Sequence, residues 1–332
     1  MGKIRMHKIN ELDAQILKNL LQDGRRGYNE IAEDCGTSEN KVWKRCRTME
    51  QKGLISGATV QMNFGHFGFD ALVTLLISIE AQQIERVMET IRQVSELRAY
   101  RQYNSVYNVR AVATLKDLNE LDHLKQLIKR KLPIMGLKSY IWTGVRNMPE
   151  NLNLTNSLKA CIEKIKQNQS NIGSIQREKY IIDEFDEQIV NKLTSDGQMS
   201  FTRIAQEMKL STDTVLKRYY KLKKNRSIKV SIQINPNKIG YKSILDFNVA
   251  FTTPGNFSDA IIESLARIQD VIIITKTSGD FDLQVTAMIR DIPQSFAIQD
   301  QISRICGITK IETSARKIPD KWPTPQQYIS TF

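Results

Sequence analysis

Four side chains in the stretch TSENKVWKRCRTMEQKG, residues 37–53, would share one face of a helix. They are Lys41, Lys44, Arg45 and Thr48, spaced i, i+3, i+4 and i+7. A second stretch, LSTDTVLKRYYKLKKNR (210–226), places Thr214, Lys217, Arg218 and Lys221 in the same way. Cations grouped like this pair with phosphate oxygens, whereas most charge runs only solvate a surface. The context of each stretch therefore decides its meaning. In the first, Asn40 lies beside the cations, with Trp43 and Arg47 on a flanking face; Ser38 and Thr212 stand at the two starts.

The elements around these residues supply that context. Ile9, Leu12, Ile16 and Leu20 make an amphipathic helix that Asn10 can cap and Asp23-Gly24 ends. YNEIAEDCG predicts a short second helix, in which Ala32 permits close approach, and Gly36 gives the turn. Ser38 then caps a third helix whose inward stripe is Val42, Cys46 and Met49; Val215, Tyr219 and Leu222 are the counterparts downstream. Helix, tight turn and capped basic helix make a helix-turn-helix, and in that setting the cations point to double-stranded DNA. LISGATVQMNF and SIKVSIQINP alternate like short strands and predict a wing.

Composition agrees and excludes other classes. The 332 residues carry a net charge of +12, which favours a polyanionic partner. Apolar runs such as ALVTLLISI are far shorter than the ~20 residues of a membrane span. MGKIRMHKINELD lacks the apolar core of a signal peptide, so a cytoplasmic protein without membrane contact is expected. Cys35, Cys46, Cys161 and Cys306 form no metal-binding or disulfide pattern, and His7, His66 and His123 are scattered. No metal, cofactor or catalytic set is expected.

The chain repeats itself. LDAQILKNLLQDG from Leu12 matches FDEQIVNKLTSDG from Phe185, Gly68-Phe69 matches Gly240-Tyr241, and YNVRAVATLKD (107–117) matches FDLQVTAMIRD (281–291). A repeat of this length is a duplication of whole domains. After each helical unit comes strand-helix-strand-strand-helix-strand, the split βαββαβ order. In copy one it reads Ala71–Glu80, Gln83–Val94, Leu97–Tyr103, Tyr107–Leu115, Leu118–Lys131 and Leu137–Val145. In copy two it reads Ser243–Thr253, Phe257–Ile268, Val271–Thr277, Asp280–Ile289, Ile292–Ile305 and Ile308–Arg316. The fold class is thus α+β: two copies of a winged helix-turn-helix plus a ferredoxin-like domain. The expected divisions are 1–62, 63–148, a linker at 149–182 with a helix over 158–166, 183–236 and 237–332. Copy two has Arg226 where copy one has Gly53, so Asn225 is expected to take the left-handed cap there.

These residues resemble the leucine-responsive regulatory protein/AsnC, or feast-famine, family. The resemblance rests on LDAQILKNLLQDGRRGYNEIAEDCGTSENKVWKRCRTMEQKGLI, on TSGDFDLQVTAMIRD and on CGITKIETS, and it occurs twice in one chain, unlike the family's usual single module. It implies a transcriptional regulator that binds DNA and a small, amino-acid-like effector, and that assembles as a homodimer or larger even oligomer. The implied effector residues are Gly279, Asp280 and Asp282, with Thr277, Ser278, Thr313 and Ser314 nearby; a carboxylate there would pair with an ammonium group. Copy one has Ser105, Val106 and Asn108 instead, so one effector site per chain is expected. Two other readings compete. Some proteins resembling this family are sirohaem decarboxylases, which would need positioned proton-transfer groups; an architectural DNA-binding protein would show little sequence preference.

Overall fold

A computed structural model describes residues 8–92, 97–103, 105–155, 182–252 and 257–325; the linker helix expected at 158–166 lies outside them. Copy one opens with α1 (Glu11–Gln22), α2 (Tyr28–Asp34) and α3 (Glu39–Gln51), then β1 (Ile55–Met62). Its second domain is β2 (Ala71–Ile79), α4 (Ile84–Arg92), β3 (Leu97–Arg101), β4 (Val109–Leu115), α5 (Glu120–Lys131) and β5 (Ile134–Asn147). Copy two repeats this with α6 (Glu184–Ser195), α7 (Phe201–Met208), α8 (Thr212–Lys224) and β6 (Ile228–Ile234). It continues through β7 (Ser243–Phe251), α9 (Phe257–Ala266), β8 (Val271–Ser278), β9 (Leu283–Ile289), α10 (Ile292–Ser303) and β10 (Ile308–Lys317).

The local signals act as expected at most ends. Asn10 caps α1 by accepting from the Asp13 amide at 2.8 Å, while Asp13 accepts in return from the Asn10 amide. Gly36 turns with φ +58°. The turn after α8 corrects one expectation. Asn225 keeps a right-handed φ of −79°, and Arg226 itself takes the left-handed conformation at φ +54°, matching Gly53 at +66°. The turn closes identically in both copies, with Leu54 N donating to Met49 O and Ser227 N to Leu222 O, each at 2.9 Å. Position therefore fixes the conformation, and Arg226 bears the roughly 1–2 kcal/mol steric cost that Gly53 avoids.

The two copies are joined twice. The wing strands pair with each other: β1 runs antiparallel to β6, with Ala58 opposite Ile232 and Thr59 opposite Ser231. Ala58 and Ser231 are equivalent in the repeat, as are Thr59 and Ile232, so an approximate two-fold axis passes between these pairs. The Asp-Gly turns dock at the same place. Gly24 N donates to Val230 O at 2.9 Å, and Gly197 N to Ala58 O at 3.0 Å. A Cβ on Gly24 would stand 2.8 Å from Ile232 N, and one on Gly197 2.7 Å from Thr59 N. These glycines end their helices and also let each unit rest on the other copy's strand. Arg25 adds a bridge, its Nε donating to Gly197 O at 2.8 Å and its guanidinium lying over the Phe201 ring.

The second junction is one eight-stranded sheet, ordered β10-β7-β9-β8-β5-β2-β4-β3. Each half has the ferredoxin-like strand order, and β5 pairs with β8 across the copies. The far edges also meet, since Tyr103 and Ala315 exchange backbone hydrogen bonds of 2.7 and 2.9 Å. Both seams therefore lie within one chain, and the sheet curls round so that its helix-free face lines an interior. Val73, Leu75 and Ile77 pack under the first copy's helices, and Phe247, Val249 and Val285 under the second's. With the opposite face enclosed as well, β2 is buried along its whole length, which accounts for its continuous apolar run.

The interior holds a polar layer that crosses between copies. Arg316 Nε donates to Asp246 Oδ2 at 2.9 Å, and Thr286 Oγ1 to Asp246 Oδ1 at 2.7 Å. Arg110 of copy one lies 3.6 Å from the same carboxylate and hydrogen-bonds Gln284. Thr74 donates to Gln284 at 3.1 Å and accepts from Trp142 Nε1 at 2.8 Å. Gln102 donates to Ser314 at 2.8 Å.

Gly24→Ala or Gly197→Ala should cost about 1–3 kcal/mol through overpacking. A urea titration should show a lower midpoint at unchanged slope; an unmoved midpoint would separate the turns from the strands. Burial alone would raise the Asp246 carboxyl, but Arg316 and Arg110 outweigh it and hold the group below its ordinary value. Its contribution is complete above the unfolded value of about 3.9 and is lost as pH falls through the lower folded value. Asp246→Asn should lower stability at pH 7 and flatten the decline below about pH 4, as measured by urea unfolding across pH.

Candidate nucleic-acid interface

The two basic helices are fixed by the same means. Ser38 Oγ accepts from the Lys41 amide at 3.4 Å at the start of α3, and Ser211 Oγ from the Thr214 amide at 3.1 Å at the start of α8. Val42, Cys46 and Met49 are buried in α3, and Val215, Tyr219 and Leu222 in α8, as the helical spacing requires. That leaves Asn40, Lys41, Trp43, Lys44 and Arg47 exposed on α3, and Lys217 and Lys221 exposed on α8. Thr212 and Thr214 are half-buried, and Thr214 Oγ1 is 2.8 Å from Ser211 Oγ. The Arg47 guanidinium lies 5.8 Å from the Trp43 ring centroid and also pairs with Glu50 at 3.1 Å.

Two of the cations expected at phosphates are paired within the protein. Arg45 reaches back to α1, where its Nε donates to Asp13 Oδ1 at 2.6 Å and its Nη2 holds the other carboxylate oxygen. Asp13 is fully buried. Arg218 does the same in copy two, its Nη1 donating to Asp183 at 2.7 Å and to Asp186 at 2.8 Å. Arg45 and Arg218 are anchors between helices, because a buried carboxylate needs a cation and donors more than an exposed face does. The sequence held a signal for this. Asp13 and Asp186 recur at the same position of the repeat, three residues before Ile16 and Ile189.

The expected effector residues lie at the turn between β8 and β9, where Thr277 N donates to Asp282 O at 2.8 Å, and on β10. Asp282 Oδ2 accepts from the Phe251 amide at 2.9 Å and so ties the turn to the end of β7. Asn108, its counterpart, does the same in copy one by accepting from the Ile79 amide at 3.0 Å. The difference between the copies there preserves one structural link. Thr313 bonds Gln299 on α10, whereas Ser314, the next residue on the strand, points to the interior and Gln102. Thr277 Oγ1 donates to Phe281 O at 2.7 Å, and Ser278 is exposed. Gly279 has φ +148°, and a Cβ there would meet Tyr140 at 2.7 Å. Asp280 stays at the surface and accepts from Lys138 Nζ at 2.6 Å, which holds its carboxyl below the ordinary range.

The division between anchors and exposed cations is measurable. Arg45→Ala strands the buried Asp13, and with Arg45 itself one-third exposed the loss should be about 3 kcal/mol. Lys44→Ala should change stability by no more than about 0.5 kcal/mol. Urea unfolding of the two variants tests the assignment, and equal midpoints would refute it.

Comparison with known proteins gives this geometry a family. Residues 9–56 match a winged helix-turn-helix DNA-binding family, and residues 182–223 match the AsnC-type helix-turn-helix domain. An uncharacterized HTH-type transcriptional regulator of Pyrococcus horikoshii is 30% identical over 143 residues, which cover 42% of this chain and 89% of the relative. A second such regulator from that organism is 33% identical over 93 residues, 26% of this chain and 62% of the relative. The HTH-type transcriptional regulator LrpA of P. horikoshii is 31% identical over 90 residues, 27% of this chain and 64% of its own. The chain thus spans under two thirds of these last two relatives. At the level of fold, the siroheme decarboxylase NirDL superposes over 97% of this chain and 95% of its own, with TM-score 0.64 and 13% identity. The matched helical units and the similarity to a relative along nearly all of that relative's length place the chain in the Lrp/AsnC family of helix-turn-helix transcriptional regulators, with the module present in tandem.

Proposed function

We propose that the chain is a DNA-binding transcriptional regulator in which one polypeptide does the work of two modules. The observation that carries this reading is the β1–β6 pairing, which fixes two basic helices about an approximate two-fold axis. Two helices so related suit a duplex site with two-fold related halves. The helices differ, ENKVWKRCR against TDTVLKRYY, so the favoured operator is an imperfect palindrome with unlike halves. Asn40, Lys41 and Lys44 serve one half and Lys217 and Lys221 the other, with Trp43 and Arg47 at the flank. Because one chain already closes the two-fold sheet, any homodimer would assemble through other surfaces. An amino-acid-like effector at the copy-two loop would meet the exposed, ionised Asp280.

The competing enzyme reading, a sirohaem decarboxylase-like protein, draws on fold alone and requires a proton-transfer group. The exposed cations of the two basic helices favour DNA. Titration with duplex DNA against a tetrapyrrole separates the two, and the ratio of specific to non-specific binding separates a regulator from an architectural protein.

Lys44→Ala and Lys217→Ala should each weaken duplex binding and reduce the slope of log affinity against log salt by about 0.9. Loss of protection in only one half-site by each variant, seen by footprinting, is expected. A folded double variant with unchanged affinity and slope would reject the proposal.

A further inference from the structure

The interior of the sheet is filled differently at its two copy-related ends. At the copy-two end, Leu152 and Leu154, from the segment after β5, are buried against Tyr241, Ile244 and Met288. A polar latch holds that segment. Asp270 accepts from the Asn153 amide at 2.8 Å and from Gln294 Nε2 at 2.6 Å, and it also binds the Tyr241 hydroxyl. Arg290 adds its guanidinium to Asp270 and to Asn153 O.

The described residues of copy one show no such latch. Phe69, Lys116 and Glu120 stand where copy two has Tyr241, Arg290 and Gln294. The local motif survives, with Lys116 N donating to Glu120 as Arg290 N does to Gln294, but Phe69 has no hydroxyl. The segment after β10 lines this end through Pro319, Trp322 and Thr324 without filling it. A cavity of about 800 Å³ is left between the helix-free face of the first sheet and the second helix-turn-helix unit.

The chemistry of that cavity is specific. Phe67, Phe69, Tyr100, Trp142 and Trp322 offer flat apolar surface, and the charged groups are the cations Arg98, Lys116 and Arg316 with the carboxylates Glu120 and Glu187. Its floor belongs to the buried polar layer, because Arg316 and Trp142 contribute to both. In that layer two guanidinium groups, Arg110 and Arg316, face the single carboxylate of Asp246, leaving one net positive charge. Three buried donors there have no hydrogen-bond acceptor, Arg110 Nε, Arg110 Nη1 and Gln284 Nε2, against two buried acceptors without a donor, Gln102 Oε1 and Asn248 Oδ1. Arg110 is one step along β4 from Val112, which lines the cavity on the same strand face. Excess charge with surplus donors calls for an anionic acceptor.

We propose that this cavity is a binding site for a small organic anion with an aromatic body, such as an aromatic carboxylate. The acid group lies toward the Arg316 and Arg110 floor, and the ring packs against Tyr100, Trp142 and Phe69. The volume falls in the range that encloses small ligands, about 300–1,000 Å³. Val190 and Asn191 of α6 form part of the wall, so an occupant also touches the second helix-turn-helix unit. Each chain has one such site, because the latch fills the other end. The assignment stands independently of DNA binding.

The test uses the full chain and 1-anilinonaphthalene-8-sulfonate, an aromatic sulfonate that fluoresces when shielded from water. One site per chain is expected, with quenching of tryptophan emission from Trp142 and Trp322. Phenylacetate should displace the probe, and phenylacetamide, its neutral counterpart, should do so at least tenfold more weakly. Val112→Trp should fill the cavity and abolish binding. Arg110→Met leaves Arg316 and Asp246 paired one to one, so it should fold and yet weaken probe binding at least tenfold, with partial recovery in Arg110→Lys. No binding, several equivalent sites, equal displacement by acid and amide, or full affinity in folded Arg110→Met would each overturn the proposal.

Discussion

The helix-free face of a ferredoxin-like sheet has to be covered, and in this chain much of the cover is supplied by the other copy. Burial of that face dictates the remaining architecture. It draws β5 against β8 and brings Tyr103 to Ala315, and it makes a strand as apolar as β2 tolerable. The polar layer around Asp246 sits inside this enclosure, where a carboxylate is stabilised only by the guanidinium groups beside it. Because Arg110 comes from one copy and Asp246 from the other, the layer specifies which sheets face each other.

The helical units depend on that arrangement. Once the sheets are paired, β1 and β6 run antiparallel across the same approximate axis, and each Asp-Gly turn finds the opposite strand. Arg45 and Arg218 then hold the basic helices rigidly on α1 and α6. Rigid placement matters for a surface that has to match a regular polyanion, since misplacement of either helix would separate its cations from the phosphates.

Much of this was legible in the residues. The duplication, the two helix-turn-helix units, the βαββαβ order and the buried stripes of the basic helices all follow from spacing, caps and alternation, and the structure reproduces them. Whether a cation points outward was less legible. Arg45 shares a helical face with Lys44, yet its longer side chain bends back to a carboxylate 32 residues away. The structural roles of the residues in the turn between β8 and β9 were less legible for a related reason. Asp282 bonds a backbone amide on a strand distant in sequence, and Thr313 and Ser314 alternate faces. The interior layer has its own signal in the sequence, charged residues at mid-strand positions, Arg110 and Asp246, in otherwise apolar runs. The cavity had none, because it arises from how two tails fill equivalent spaces.

Arg110 and Gln284 hold the same position of the repeat, and they touch each other near the axis. In a pair of identical modules that position would meet itself, so Arg110 would face a second Arg110, and both would be buried. Within a fused chain the two positions were free to diverge into complementary partners. That divergence works as a ratchet. A return to separate, self-pairing modules would bring like charges together in the interior, so the covalent link between the copies has become a condition of their fit.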